Sequence, residues 1–309
     1  MNLINKLIME VINEEQLDEK LITYNNRKPY GQVVFLAGGA GSGKGFAGSN
    51  FLDSAGFKVR DVDEMKKQLQ VMNRIGKIDV GTIIRKYGKK IKPKDMDLIN
   101  KVFNSETATG IKQTLRNLDL KNPDHVYVLH LLVKSMGIKE KSLMYLLKGK
   151  DNPETLPNIM FDITAKDLSD ITDVIPQLKK VGYDAKNIHL TWVLTNYVTA
   201  MKNNKSRARM VPEDILLKTH EGAANTVWSL ITRALPKGMN GRVDVILNNP
   251  QHTVFYTDED GKTIKGAVKG FLSLPIKKAG GGIFDEKIWK NKLFDWVKSN
   301  APESITKNM

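Results

Sequence analysis

Apolar residues along this chain follow two rhythms, and the rhythm changes at glycines. Between positions 3 and 22 they recur as Leu3, Ile4, Leu7, Ile8, Val11 and Ile12 with acidic residues between them, a spacing of three and four that predicts an amphipathic leading helix. NNRKPYG, at 25–31, breaks that pattern as a linker. QVVFLAGG, starting at 32, is a continuous apolar run of β-branched and aromatic residues stopped by glycines. It reads as a strand buried on both faces and entering a turn. FAGSNFLDSAG returns to helical spacing through Phe46, Phe51 and Leu52, with Gly56 as its stop. FKVRDV, at 57–62, is a second strand running into a helix, while NIMFDIT (158–164) and NIHLTWVLTN (187–196) are further buried strands with a helix between them. A long helix starts after Pro212 with Glu213 and Asp214 in its first turn, where the helix dipole favours acids. VDVILNN then gives a last core strand, and TVFYTDEDGKTIKGAV a small hairpin on its Asp-Gly turn.

The stretch 67–155 is helical and polar instead, with Asn122 as a cap ahead of Pro123 and Gly137 as a stop. Strands alternating with helices predict an α/β fold whose parallel sheet has helices on both faces. The expected organisation is a helical extension and linker over 1–29, a main domain over 30–240 with a helical insertion at about 67–155, and an appendage of strand, hairpin and helix over 241–309.

Where the first strand meets its helix the chain reads GGAGSGKGFAG, residues 38–48. The form GxxxxGK[ST] is a phosphate-binding loop in which the residue after the lysine holds magnesium through its hydroxyl. Here Gly45 and Phe46 follow Lys44. The strand-to-helix context is still the one in which main-chain N–H groups converge on phosphate. Gly39, Ala40, Gly41, Ser42, Gly43, Lys44, Gly45 and Phe46 are therefore the expected nucleotide site, with Lys44 reaching the β- and γ-phosphates. Without the hydroxyl, Mg2+ coordination falls to Asp162, Asp63 or water, with Ser42 and Ser49 as weaker substitutes.

Composition narrows the chemistry. The chain has no cysteine, which removes disulfides and thiolate chemistry, and its five histidines show no paired metal spacing. No apolar run approaches a membrane span, and the first residues lack a signal-peptide core, so a cytoplasmic protein is expected. The net charge of +14 favours anionic partners. Much of it sits in RIGKIDVGTIIRKYGKKIKPK, residues 74–94, with eight Lys or Arg against Asp79. Such a patch suits a polyphosphate, an oligonucleotide end or duplex DNA, or is simply a solvated surface.

Four segments resemble the zeta-toxin-like P-loop kinases: the glycine loop; VRDVDEMKKQL; NIMFDIT with KKVGYDAKNIHLTWVLTN; and KSRARMVPEDILLKTHEGAANTVWSL. The resemblance implies a P-loop kinase fold and transfer of the γ-phosphate of ATP to the hydroxyl of an anionic acceptor such as a sugar nucleotide. It places the general base on Asp63, a basic partner on Lys66, and charge stabilisation on Arg207 and Arg209. Asp61 competes with Asp63 for the same role, and the alternative for Asp63 is a cap of the following helix. Asp162 could hold metal-bound water or cap the next helix, and Thr164 is a weaker candidate. His220 and Asn225 are expected to pack or cap. Two other readings stay open: a kinase acting on a nucleic-acid 5′ end or modified base, and a nucleotide-binding interaction protein without turnover.

Overall fold

The computed structural model describes residues 21–24, 30–147, 152–207, 210–284 and 286–306. The expected leading helix, most of the linker after it and Arg209 lie outside the described residues. In chain order the elements are β1 (Val33–Ala37), α1 (Lys44–Asn50), β2 (Phe57–Asp61), α2 (Val62–Arg74), α3 (Val80–Tyr87), α4 (Pro93–Phe103), α5 (Pro123–Ser135) and α6 (Ile138–Leu147). There follow β3 (Asn158–Ile163), α7 (Ser169–Thr172), α8 (Ile175–Val181), β4 (Ile188–Leu194), α9 (Tyr197–Ser206), α10 (Glu213–Thr232) and β5 (Val243–Leu247). The chain closes with β6 (Thr253–Thr257), β7 (Thr263–Lys277), α11 (Glu286–Asn300) and α12 (Glu303–Thr306).

The residues form two compact units, one made of 1–60, 150–203 and 213–309, the other of 61–149 and 204–212. In the first, one sheet runs in the order β2-β3-β1-β4-β5-β7-β6. β1 pairs in parallel with β3 and β4, and β4 with β5. Every residue of β1, β4 and β5 is buried, the apolar majority of each strand together with His189, Thr191 and Asp244. β7 runs antiparallel to β5 and β6, so the sheet is mostly parallel and not wholly so. The expected small hairpin is longer because β7 passes beyond β6 to pair with the core, and its fifteen residues serve both partners.

Connections leave β1 for β2 at the sheet edge, and the chain then returns to place β3 on one side of β1 and β4 on the other. A strand flanked in this way opens a crevice at its carboxyl end, the usual place for a ligand in an open α/β sheet. The glycine loop begins there.

Aromatic and aliphatic packing hold this arrangement. Phe35 stacks on Phe161 at 5.1 Å and Phe51 on Phe271 at 4.2 Å, each buried ring contributing about 1.5–3 kcal/mol by removal from water. Ile22 and Tyr24 belong to the same core as Val34, Leu36 and Phe51. Tyr24 Oη lies 2.7 Å from Thr191 Oγ1, which satisfies a hydroxyl buried in a central strand. His189, also in β4, is satisfied at both nitrogens: Nδ1 accepts from Arg242 N at 2.9 Å and Nε2 faces Gln32 Oε1 at 2.9 Å.

The second unit is helical, with its own core of Leu69, Ile83, Ile99, Phe103, Leu115, Leu129 and Leu132 among others. Asn122 caps α5 by accepting from Asp124 N and His125 N, with Pro123 as the first helical residue. The helix expected between β3 and β4 forms as two short helices, α7 and α8, and α1 stops at Asn50, short of Gly56.

Candidate functional site

The loop after β1 turns on glycines because four of them, Gly38, Gly39, Gly41 and Gly43, take positive φ or have no room for a side chain. Gly41 (φ 76°) and Gly43 (φ 82°) occupy the left-handed region. At Gly39 a β-carbon would lie 2.5 Å from Cγ and Nε2 of His220, and at Gly41 2.5 Å from the carbonyl oxygen of Ala200. Gly45 differs: a β-carbon there meets nothing within 4 Å.

The loop is gripped by its carbonyls. Ser42 O accepts from Thr195 Oγ1 at 2.7 Å and from Asn248 Nδ2 at 2.8 Å. Gly41 O accepts from Asn203 Nδ2 at 3.1 Å, and Ala40 O from His220 Nε2 at 2.8 Å. Thr219 Oγ1 accepts from Ala40 N at 3.0 Å. By contrast, among the described residues the amides of Gly41, Gly43, Lys44 and Gly45 donate to no other group of the chain. The buried Ser42 Oγ likewise has no partner. Acceptors are pinned and donors left unspent, an arrangement that can receive an anion.

Lys44 Nζ donates to Gly38 O at 2.7 Å and lies 3.6 Å from Asp162 Oδ1. Asp162 reaches it because β3 lies beside β1 in the register Leu36↔Asp162, one residue from the strand's end. Phe46 turns the other way, its ring edge-on to Phe51 at 5.3 Å and 6.2 Å from Phe255, so position 46 can serve a nucleotide only through its backbone. Ser49 is exposed on α1.

Asp61, Asp63, Lys66 and Arg207 belong to the second unit, Thr164 and Asn225 to the first. Asp61 ends β2, and Asp63 lies in the first turn of α2. Lys66 is buried on the same helix, 8% exposed. Arg207 is exposed directly after α9. The loop it opens is closed at its base by Asn204, whose Nδ2 donates to Val211 O at 2.7 Å and whose Oδ1 accepts from Val211 N at 2.9 Å.

His220 packs and does not titrate in the working range. Burial, only partly opposed by the bond to Ala40 O and reinforced by the Lys44 charge, pushes its pKa down to about 4. Burial takes His189 lower still, to about 3, with Arg242 and Lys277 adding to it. Both are neutral in the folded protein where the unfolded chain already binds a proton, so their contribution is complete above about pH 6.5 and is lost as pH falls. For His220 alone the loss between about pH 6.5 and 4 is about 3 kcal/mol. Thermal melting followed from pH 7 to 4 should show this slope, and His220→Gln should make it shallower, leaving the part due to His189. A melting temperature level across that window would contradict the assignment.

Thr195, Asn203, Thr219 and Asn248 were not singled out in the sequence. Two of them carried a signal: in VLTN and ILNN a polar residue directly ends an apolar strand.

Among the described residues no helix is long and apolar enough to cross a membrane, and no group of three acidic or histidine side chains could by itself hold a metal ion. No family model and no curated protein matches the chain. Among solved structures it is similar to the AvrRxo1-ORF1:ORF2 complex, at 11% identity over 98% of this chain and 81% of that one, with a TM-score of 0.39. The same complex with ATP gives 10%, 98%, 81% and 0.39. The PezAT chromosomal toxin-antitoxin system of Streptococcus pneumoniae gives 11% identity over 85% and 81%, with a TM-score of 0.36. By its own strand order the chain is an α/β protein with a mostly parallel sheet and a glycine-rich loop at the carboxyl end of β1.

Proposed function

We propose that this protein is an ATP-dependent phosphotransferase that moves the γ-phosphate to a hydroxyl of an anionic acceptor such as a sugar nucleotide. One observation carries the reading: the loop's carbonyls are held by Thr195, Asn248, Asn203 and His220 while, among the described residues, the amides of Gly41, Gly43, Lys44 and Gly45 stay unbonded. Phosphoryl transfer needs positioning and charge neutralisation more than covalent help. The loop amides and Lys44 supply both for the donor. As the new oxygen–phosphorus bond forms and the bond to the β-phosphate's bridging oxygen breaks, the acceptor hydroxyl gives its proton to a carboxylate, the role the resemblance assigns to Asp63. Arg207 and Arg209 take the matching role toward the transferred charge.

Magnesium fits this donor set. The ion is commonly bound through one or two carboxylates, substrate phosphates and water; Asp162 beside Lys44 is such a carboxylate, and among the described residues it belongs to no cluster of three metal-ligating side chains. When bound, the ion would neutralise phosphate charge. Asp162 also orients Lys44, which the Gly38 carbonyl holds from the other side.

The test is incubation with labelled ATP and a mixture of sugar nucleotides, nucleosides and DNA, followed by mass analysis of products. Asp63→Asn should leave ATP affinity unchanged and lower transfer by about 10²–10⁴-fold; full transfer in that variant would remove Asp63 from the base role. A second reading, ATP binding without turnover, is favoured by Gly45 alone, since it supplies no hydroxyl for the metal. Saturable ATP binding with no product from any acceptor would establish it.

A further inference from the structure

We infer that the second unit carries a binding surface for the phosphate backbone of duplex nucleic acid, centred on Tyr87 and formed by Lys86, Lys90 and Lys141 with Lys89, Lys92 and Lys94 around them. The inference stands apart from the phosphotransferase reading, because it concerns other residues and needs no ATP.

Charge is the first observation. The 61–149 and 204–212 unit holds twenty-one lysines and arginines against ten aspartates and glutamates, so it carries +11 of the chain's +14. Ordinary solvated surfaces intersperse the two signs. Here the six lysines are exposed, and among the described residues none is within ion-pair distance of a carboxylate. Asp79, the acid inside the basic stretch, is engaged as the cap of α3, accepting from Thr82 N at 2.9 Å and Thr82 Oγ1 at 2.6 Å.

Geometry is the second. The ammonium groups of Lys141, Lys86 and Lys90 lie 5.0, 5.6 and 6.0 Å from the centroid of the Tyr87 ring. They come from three places in the chain: the last turn of α3, the turn after it and the start of α6. A ring face attracts a cation by about 0.5–1 kcal/mol at an exposed site, so Tyr87 gathers charges that would otherwise repel one another. Burial pushes its hydroxyl up, but Lys141 and Lys86 outweigh that and hold it below the ordinary tyrosine value.

The ring that anchors the lysines is not free to stack on a base, and no other aromatic residue lies between Arg74 and Lys94. Single-strand binding draws much of its strength from such stacking. What remains is backbone attraction, which is greatest for a duplex with one charge per ~1.7 Å of axis. The surface should therefore bind without sequence preference and with steep dependence on salt.

Fluorescence anisotropy of a labelled duplex of about 20 base pairs, without ATP, tests this in the full chain. Affinity should fall steeply from about 50 to 200 mM salt, and replacing Lys86, Lys90 and Lys141 together by glutamine should reduce the log–log salt slope by roughly two to three. The same loss of net charge elsewhere, through glutamine at Lys237, Lys262 and Lys298, should change it little. Equal weakening by the two triple variants would overturn the inference, as would absence of duplex binding at the lower salt. Binding of polyphosphate or anionic vesicles but not of the duplex would overturn it too.

Discussion

Lys44→Ala is expected to lower phosphotransfer by about 10²–10³-fold or more, the cost of removing one preorganised positive group from a site of developing charge. Nucleotide affinity should fall with it, because Lys44 stands beside the unbonded amides that would hold the phosphates. The fold should survive. The lysine's partners are the Gly38 carbonyl and Asp162, both at the loop and neither in the apolar core. Calorimetric titration of ATP into the variant, with thermal melting as the control, checks this. Undiminished ATP affinity would mean that the loop is not the donor site.

Gly39→Ala should have the next largest effect, for a steric reason. Its β-carbon would stand 2.5 Å from two atoms of the His220 imidazole, closer than any real carbon contact, and that ring also holds the Ala40 carbonyl. Either His220 leaves, releasing Ala40, or the loop moves off its amide geometry. Overpacking of this kind costs about 1–3 kcal/mol, and nucleotide binding should be lost beyond what that loss of stability explains. Gly45→Ser is the informative contrast. A β-carbon at 45 meets nothing within 4 Å, so the substitution should be accepted, and it returns a hydroxyl at the position where a phosphate loop holds magnesium. Melting temperatures and ATP titrations of the two variants decide the matter. A stable, ATP-binding Gly39→Ala protein would show that His220 does not fix the loop.

The strands were legible because strands buried on both faces are predominantly apolar, and QVVFLA, NIMFDI and IHLTWVL are short apolar-rich runs with few other ways to fold. The loop was legible for a related reason: five glycines around a lysine at a strand end satisfy a backbone requirement that few other contexts impose. What supports the loop was much less so. Thr195 and Asn248 act on Ser42 O from 153 and 206 residues away, and no periodicity encodes a contact at that separation. Position 46 was misleading by type, since a residue inside the motif turned out to pack against Phe51 and Phe255. The length of β7 was hidden because Pro275 and Gly266 interrupt its pattern; a bulge at the Val243/Asp244 step of its pairing with β5 accommodates the irregularity.

The grip on the loop's carbonyls has a thermodynamic corollary. Because Thr195, Asn203, His220 and Asn248 shape the turn while the chain folds, the entropy of ordering it is spent before any ligand arrives. Amide hydrogen exchange should then find the bonded amides of Ala40 and Ala47 already slow in the unliganded protein, with nucleotide adding protection at Gly41, Gly43, Lys44 and Gly45 and little elsewhere in β1 or α1.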